Sequence, residues 1–161
     1  TEIDQIRGRE STVLERVVAV TAGIKSSVVL EDERDEGIRN ILNFGHTVGH
    51  GVESASGFSL CHGEAVAIGM VAASHMAAAM GLCESADVDR LLELLTRSDL
   101  PVCIPREIDT DAVASAMSHD KKARRGRLRF VLPTRIGEVV VRDDVPLDLV
   151  EKVLRTTHGS A

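Results

Sequence analysis

A polar stripe early in the sequence combines residue types that can bind anions and metals. The side chains at spacing i, i+4, i+7 and i+11 are Arg39, Asn43, His46 and His50. An α-helix advances about 100° per residue, so the four would fall within an arc of about 60°. Solvated helix faces are usually mixtures of Glu and Lys. The stripe therefore predicts a functional site rather than an ordinary solvent-exposed helix face.

Glycine directly precedes each histidine of the stripe, at Gly45 and Gly49. A glycine inside a helix costs about 1 kcal/mol relative to alanine. Two of them so close together indicate that something must approach this backbone closely.

Metal binding is one chemistry that the histidines suggest. His46 and His50, at i and i+4, could chelate a metal, but Thr47 stands where zinc peptidases have Glu, which excludes that class. His62 begins the next predicted helix and would return to the stripe if the two helices form an antiparallel hairpin. Spacing alone leaves both His46/His50 and His46/His62 open as the metal pair, and a catalytic zinc ion typically has three protein ligands.

The third ligand is not evident from spacing. Glu53 and Glu64 are available, and neither is an obvious match. For His62 itself the alternative is a residue at a helix start that contacts the preceding loop. His75 lies in an apolar helix and is more typical of a hydrogen-bonded core histidine.

Cationic residues elsewhere could complete an anion site. Lys25, Arg39, Lys121 and Lys122, if the fold brings them together, would hold a small dianionic or trianionic molecule. Taken singly, each lysine is more often solvated. Asp35, four residues before Arg39, could point near the stripe, whereas the rest of the acidic run 31–36 is more typical of a solvated loop.

The elements that must position these residues are mainly helical. Hydrophobic periodicity, capping residues and turn signals predict helices over 9–30, 37–55, 62–80, 85–97 and 146–156, a short helix capped by Asp109 or Thr110, and a β-hairpin over 128–132 and 138–141. The predicted class is mainly α with one small hairpin.

Composition limits the function classes. The 161 residues are 43% hydrophobic, 27% charged and 2% aromatic, as expected for one globular helical domain with an aliphatic core. A net charge of −6 argues against a general nucleic-acid binder. The apolar stretch 65–82 is built mainly of Ala and Gly and contains His75, so we expect a buried helix, not a membrane span.

Cysteine usage bears on the compartment. Cys61, Cys83 and Cys103 are odd in number and lack C-x-x-C spacing, which indicates neither a disulfide framework nor a cysteine zinc site. No leader pattern is seen at the N-terminus. We therefore expect a reduced, cytoplasmic setting.

Several motifs together resemble one enzyme family. They are Leu42-Asn-Phe-Gly-His-Thr-Val-Gly-His50, His62-Gly-Glu-Ala-Val-Ala-Ile-Gly-Met70, Asp120-Lys-Lys122 and Leu128-Arg-Phe-Val-Leu-Pro133. In this order they resemble 3-dehydroquinate synthases. The similarity covers nearly the whole chain but only the C-terminal half of such enzymes, and it implies the multi-helix C-terminal domain of the dehydroquinate synthase-like fold as a single domain over residues 1–161.

The resemblance implies a phosphate-eliminating cyclase, a carbon–oxygen lyase. Members of the family convert the seven-carbon phosphate DAHP into 3-dehydroquinate and phosphate in the shikimate route to aromatic amino acids. They use NAD and one divalent metal, normally zinc, with cobalt as a possible substitute. The implied order is oxidation of a hydroxyl, loss of phosphate, re-reduction, ring opening and aldol closure.

Carried over by position, the resemblance assigns the histidines different roles. His46 and His62 would bind zinc, and His50 would contact substrate and relay a proton. Asp35 stands where the family usually has Glu as a proposed proton acceptor, and its side chain is one methylene shorter.

The resemblance also implies the substrate contacts. Lys25, Arg39 and Asn43 would hold carboxylate, hydroxyl or phosphate groups of the substrate. One of the pair Lys121 and Lys122 would add a phosphate contact.

Part of the family's machinery is not expected in this chain. The third zinc ligand and the NAD site of the family lie in an N-terminal Rossmann-like half, and no G-x-G-x-x-G occurs here. The sequence begins with Thr1. We expect that the chain by itself lacks NAD binding and catalysis and holds zinc weakly. In the full-length enzyme, which we expect to be a homodimer, it would pair with its N-terminal domain. We expect no nucleic-acid or membrane partner.

Three alternatives remain from the sequence. Another sugar-phosphate cyclase, of the valiolone or scyllo-inosose kind, would share the zinc histidines, although Lys25, Asn43 and His50 match the dehydroquinate pattern. An iron-type alcohol or glycerol dehydrogenase would have no use for the cationic set. A non-catalytic helical module would use the Ala-rich helix for association.

Overall fold

A computed structural model of the chain describes residues 2–34, 37–123 and 128–159, except for the side chains of residues 119–123. Asp35 and the side chains of Lys121 and Lys122 lie outside this description. The described chain is mainly helical with one β-hairpin. It divides into two compact units, Thr1–Leu42 and Asn43–Ala161.

The first unit contains helices α1 (Glu2–Arg7) and α2 (Ser11–Glu31) and most of a 3₁₀ helix (Ile38–Asn43). The prediction of a helix over 9–30 is confirmed by α2. Sequence reasoning missed α1, whose six residues are too few for a periodic signal. The Asp32 carboxylate accepts backbone N–H groups of Gly37 and Arg39 at 2.8 and 3.0 Å, which fixes the entry to the 3₁₀ helix.

The prediction of one α-helix over 37–55 is wrong. The 3₁₀ helix ends at Asn43, and α3 begins at His46 and ends at Ala55. Gly45 between them has a φ of +79°, a left-handed conformation that interrupts α-helical hydrogen bonding and that favours glycine. Arg39 and Asn43 are therefore not on the same α-helix as His46, and the four-residue stripe is not one α-helical face.

The second unit continues with elements close to the predicted ones. They are α3, α4 (His62–Ala79), α5 (Ser85–Arg97), α6 (Thr110–Ala123), β1 (Phe130–Arg135), β2 (Glu138–Arg142) and α7 (Leu147–Thr156). The strands pair antiparallel, with Leu132 opposite Val140. α6 is longer than predicted and carries the Asp-Lys-Lys motif at its C-terminal end.

Helix α4 is the centre of the second unit. It packs against α3, α5, α7 and β1. Ten of its residues are buried, and most of these are Ala or Gly or are β-branched. Within the described ranges, no helix is both long and apolar enough to cross a membrane. The burial of these ten residues places the apolar stretch in the core, as predicted.

The contact between α3 and α4 depends on glycine. A Cβ built on Gly69 would lie 1.9 Å from the Gly45 carbonyl oxygen and 2.7 Å from the Gly49 nitrogen. A Cβ on Gly49 would lie 3.0 Å from the Ala65 carbonyl oxygen. The close approach predicted at Gly45 and Gly49 is confirmed, and the structure shows that the approaching group is the backbone of α4.

Candidate metal centre

Three histidines meet where α3 and α4 both begin. His46 is the first residue of α3, His50 lies one turn further, and His62 is the first residue of α4. Their ring centroids are 5.3 to 5.7 Å apart, and one nitrogen from each lies within 4.8 Å of the others. The predicted return of His62 to the His46/His50 pair is confirmed.

The proton position on His46 follows from its backbone contact. Its Nδ1 lies 3.2 Å from the Phe44 carbonyl oxygen. A carbonyl can only accept, so Nδ1 carries the hydrogen and donates it. The lone pair of the neutral ring is then on Nε2. This is the arrangement that a metal-binding histidine needs, with one nitrogen anchored and the other available.

Burial also favours the neutral form of His46. Desolvation lowers its pKa from the ordinary value of 6.5, and the neighbouring His50 and His62 lower the pKa further. The Phe44 carbonyl and the Glu53 carboxylate act in the opposite direction without reversing the shift. Because a metal binds the deprotonated ring, the lowered pKa reduces proton competition near neutral pH.

The lowered pKa of His46 predicts that the metal-free chain loses stability in mild acid. Between the lowered folded pKa and the unfolded value of 6.5, the unfolded chain binds more protons than the folded chain. The free energy of unfolding should therefore fall as the pH drops through that window. Urea unfolding with a chelator at pH 8, 7, 6 and 5 measures this. His46→Gln, which cannot titrate, should lose this part of the pH dependence, and unchanged dependence in this variant would contradict the prediction.

His62 has an acidic neighbour. Its Nδ1 lies 3.4 Å from Oε2 of Glu53 in the last half of α3. The Glu53 side chain is 21% exposed, whereas that of His62 is 54% exposed. A carboxylate accepts from Nδ1–H, so the His62 lone pair is also placed on Nε2. His46 and His62 thus share one pattern of anchoring, while no hydrogen bond of the His50 ring is seen among the described residues.

Glu64, considered as a third ligand, has a different role. Its Oε2 accepts the backbone N–H of Cys61 at 2.8 Å and so caps the start of α4. Among the described residues, the group with metal-ligand geometry consists of the three histidines and contains no carboxylate.

This capping role gives a prediction for Glu64. Glu64→Ala should lower the free energy of unfolding by about 1 kcal/mol, because the Cys61 N–H loses its partner at the helix start. Glu64→Gln can still accept through its amide oxygen, so it should stay within about 0.5 kcal/mol of the wild type. Chemical denaturation of the three proteins measures both values. Equal losses in the two variants would show that the charge matters and the hydrogen bond does not.

The donor set suits a divalent transition metal. Zinc binds histidine nitrogen at about 2.0–2.1 Å, so two such ligands on one tetrahedral ion are about 3.4 Å apart. Nitrogens within 4.8 Å of one another reach this separation with a shift of less than about 1 Å each. Imidazole is a ligand for zinc, cobalt and copper, not for calcium or magnesium.

The other predicted site residues are described only in part. Lys25 is exposed on α2, and Arg39 is partly buried in the 3₁₀ helix, where its Nη1 donates to the Glu33 carbonyl at 3.4 Å. Both belong to the first unit. Asn43, partly buried, opens the second unit three residues before His46. Their substrate roles stay predictions.

One contact near the histidines had no sequence signal. The Thr47 hydroxyl donates to the Arg129 carbonyl at 2.7 Å. It ties the first turn of α3 to the segment before β1, across 82 positions of sequence. Arg129 is exposed beside this anchor.

Comparison with known proteins decides the family. The model of the family described as 3-dehydroquinate synthase C-terminal matches residues 1–123, which include all three histidines. The chain belongs to this family. A 3-dehydroquinate synthase from Nostoc punctiforme is 43% identical over 154 residues, covering 95% of the chain and 42% of the relative. One from Dehalococcoides mccartyi is 47% identical over 145 residues, covering 90% and 40%.

Solved structures of related cyclases share the family's fold. A 2-epi-5-epi-valiolone synthase from Streptomyces hygroscopicus subsp. jinggangensis 5008, with NAD+ and Zn2+ bound, has a TM-score of 0.79 and 29% identity, covering 96% of the chain and 43% of its own. A 2-deoxy-scyllo-inosose synthase complexed with carbaglucose-6-phosphate, NAD+ and Co2+ also has a TM-score of 0.79 and 29% identity, covering 89% and 41%. The chain spans about two fifths of the length of the relatives it matches.

Proposed function

We propose that this chain is the C-terminal part of a 3-dehydroquinate synthase, the lyase that converts DAHP into 3-dehydroquinate and phosphate in the shikimate pathway. The observation that carries the proposal is the difference in identity. The chain is 43% and 47% identical to two 3-dehydroquinate synthases and 29% identical to cyclases that act on other substrates. The cyclases also share the fold of this chain, so fold does not separate the two reactions, and the closer sequence match favours the dehydroquinate reaction.

We propose further that His46 and His62 hold the metal. Each has its Nδ1 against an oxygen acceptor, Phe44 carbonyl or Glu53 carboxylate, which leaves Nε2 for a metal. In the related cyclases the metal is Zn2+ or Co2+, together with NAD+. When bound, the metal would polarise substrate oxygens and NAD would accept and return a hydride.

The remaining proposed roles belong to side chains that touch the substrate. His50 is exposed one turn from His46, and one of its ring nitrogens would accept the proton of the hydroxyl that is oxidised. Asp35 would assist as a proton acceptor. The cations and amide predicted to hold the carboxylate, hydroxyl and phosphate groups are Lys25, Arg39, Asn43, Lys121 and Lys122. Charged groups of this kind would orient DAHP and favour loss of its phosphate.

The chain would act together with an N-terminal NAD-binding domain. The relatives are more than twice as long as the matched region. Large apolar side chains on α2 also remain exposed, with Val18, Ile24 and Leu30 at 63%, 59% and 72%. Such surface is typical of an interface, and the N-terminal domain is its proposed partner. That residues 1–161 form one domain, that the full-length enzyme is a homodimer and that it is cytoplasmic stay predictions.

The activity of the full-length protein tests this proposal. With Zn2+ or Co2+ and NAD+, it should release phosphate from DAHP and form 3-dehydroquinate. A sugar phosphate of similar size without the carboxylate should react at least about 100-fold more slowly, because the site's cations lose one partner. The reverse preference would favour another sugar-phosphate cyclase. The 161-residue chain alone should show no turnover, and turnover by it would contradict the proposed need for a second domain.

A further inference from the structure

We infer that Glu53 is a positioning residue for His62. Its carboxylate accepts the Nδ1–H of His62 and so directs Nε2 of that ring toward His46 and His50. The inference rests on the proposed metal role of His46 and His62. The sequence suggested only a possible ligand role for Glu53.

The position of Glu53 is well defined. Its backbone carbonyl accepts the Phe58 N–H at 3.0 Å and the Ser56 hydroxyl at 2.8 Å, which fixes the turn after α3. Glu53 lies seven residues after His46, two turns along the same face of α3. Its side chain is 21% exposed, so it has fewer alternative conformations than a solvated carboxylate.

His62 needs such a partner more than His46 does. The His62 side chain is 54% exposed at the first position of α4, where neighbouring atoms restrict the ring little. His46 is partly buried and is anchored by a backbone carbonyl. A hydrogen bond to the Nδ1 of His62 selects one tautomer and one ring orientation, which lowers the entropy that metal binding would otherwise have to remove.

A direct ligand role for Glu53 fits the structure less well. Its Oε2 lies against Nδ1 of His62 at 3.4 Å, a long contact that can tighten as the ring adjusts to an ion. Within the described ranges, the group whose donor atoms lie within 4.8 Å of one another comprises the histidines and not Glu53. The carboxylate therefore contacts the Nδ1 side of the His62 ring and does not belong to the group of candidate ligands.

Two measurements on the 161-residue chain test the inference. Titration with Co2+, followed by the visible absorption of the bound ion, gives the affinity; nitrogen NMR of the metal-free chain gives the His62 tautomer. Glu53→Gln should weaken Co2+ binding by about 10- to 100-fold and reduce the population protonated at Nδ1. Glu64→Gln, which makes the same charge change at the start of α4, should leave the affinity within about 2-fold and the tautomer unchanged.

A double substitution separates positioning from other roles. In a His62→Ala background, Glu53→Gln should have no further effect on Co2+ affinity, because Glu53 acts through His62. A loss that persists in that background would overturn the inference and indicate direct ligation or a purely structural role. Unchanged affinity and tautomer in Glu53→Gln would also overturn it. If His46→Ala and His62→Ala leave Co2+ binding intact, the proposed metal pair fails, while the metal-free tautomer still reports on the Glu53–His62 contact.

Discussion

Gly69→Ala is expected to lower the free energy of unfolding by about 3 kcal/mol, the largest effect on stability among the substitutions considered. The added methyl would lie 1.9 Å from the Gly45 carbonyl oxygen and 2.7 Å from the Gly49 nitrogen. Both are backbone atoms and cannot rotate away, so α3 and α4 would have to separate. Urea denaturation measures the loss.

The same helix offers a matched control. A Cβ on Gly63 would meet no atom within 4 Å, so Gly63→Ala adds the same methyl to α4 without a clash. It should be neutral or stabilise the protein by up to about 1 kcal/mol, because alanine favours the helix more than glycine does. Comparable losses in both variants would show that the α3/α4 contact is not what restricts position 69. Gly69→Ala should also weaken metal binding, since His46 and His62 lie on the two helices that separate.

His46→Ala and His62→Ala are each expected to weaken Zn2+ or Co2+ binding by at least about 100-fold. This loss of affinity is larger than the loss expected when a residue that only hydrogen-bonds to a metal ligand is replaced. Both rings have Nδ1 held by an acceptor, and one nitrogen of each ring lies within 4.8 Å of a nitrogen of each of the other two histidines. His50→Ala should weaken binding by less than about 10-fold, because its proposed contact is with substrate. Calorimetry or Co2+ absorption measures each affinity.

His75→Gln is the control for this series, since His75 is partly buried further along α4 and outside the three-histidine group. Its metal affinity should match the wild type. An effect of His50→Ala as large as that of His46→Ala would contradict the two-histidine assignment and favour a site of three imidazoles.

The elements that sequence predicted best are those with a strong local signal. α4 and α5 begin at the predicted residues, and the hairpin and α7 differ by a few positions. Their apolar periodicity, turn residues and caps all favour the same structure. The start of α3 was not predicted because it depends on Gly45. This residue is left-handed and lies against the α4 backbone, where a Cβ would be 2.7 Å from the Val66 carbonyl oxygen, and a local pattern does not contain that information.

For the same reason, only part of the candidate site could be predicted from the sequence. His62 is near His46 in sequence, and a short loop between two helices makes their approach foreseeable. The role of Glu53 depends on the side chain orientation of His62, and the Thr47–Arg129 contact joins residues 82 apart. Family resemblance assigned roles to His46, His50 and His62 that spacing alone left open; the structure groups all three.

The location of the three histidines affects how the site forms during folding. All of them come from α3 and the first residue of α4, two helices joined by a short loop. Closing a short loop costs little chain entropy and occurs on a fast timescale. The imidazoles can therefore become neighbours before the hairpin and α7 have been added to the core, and an ion captured at that stage would favour the native pairing of α3 with α4.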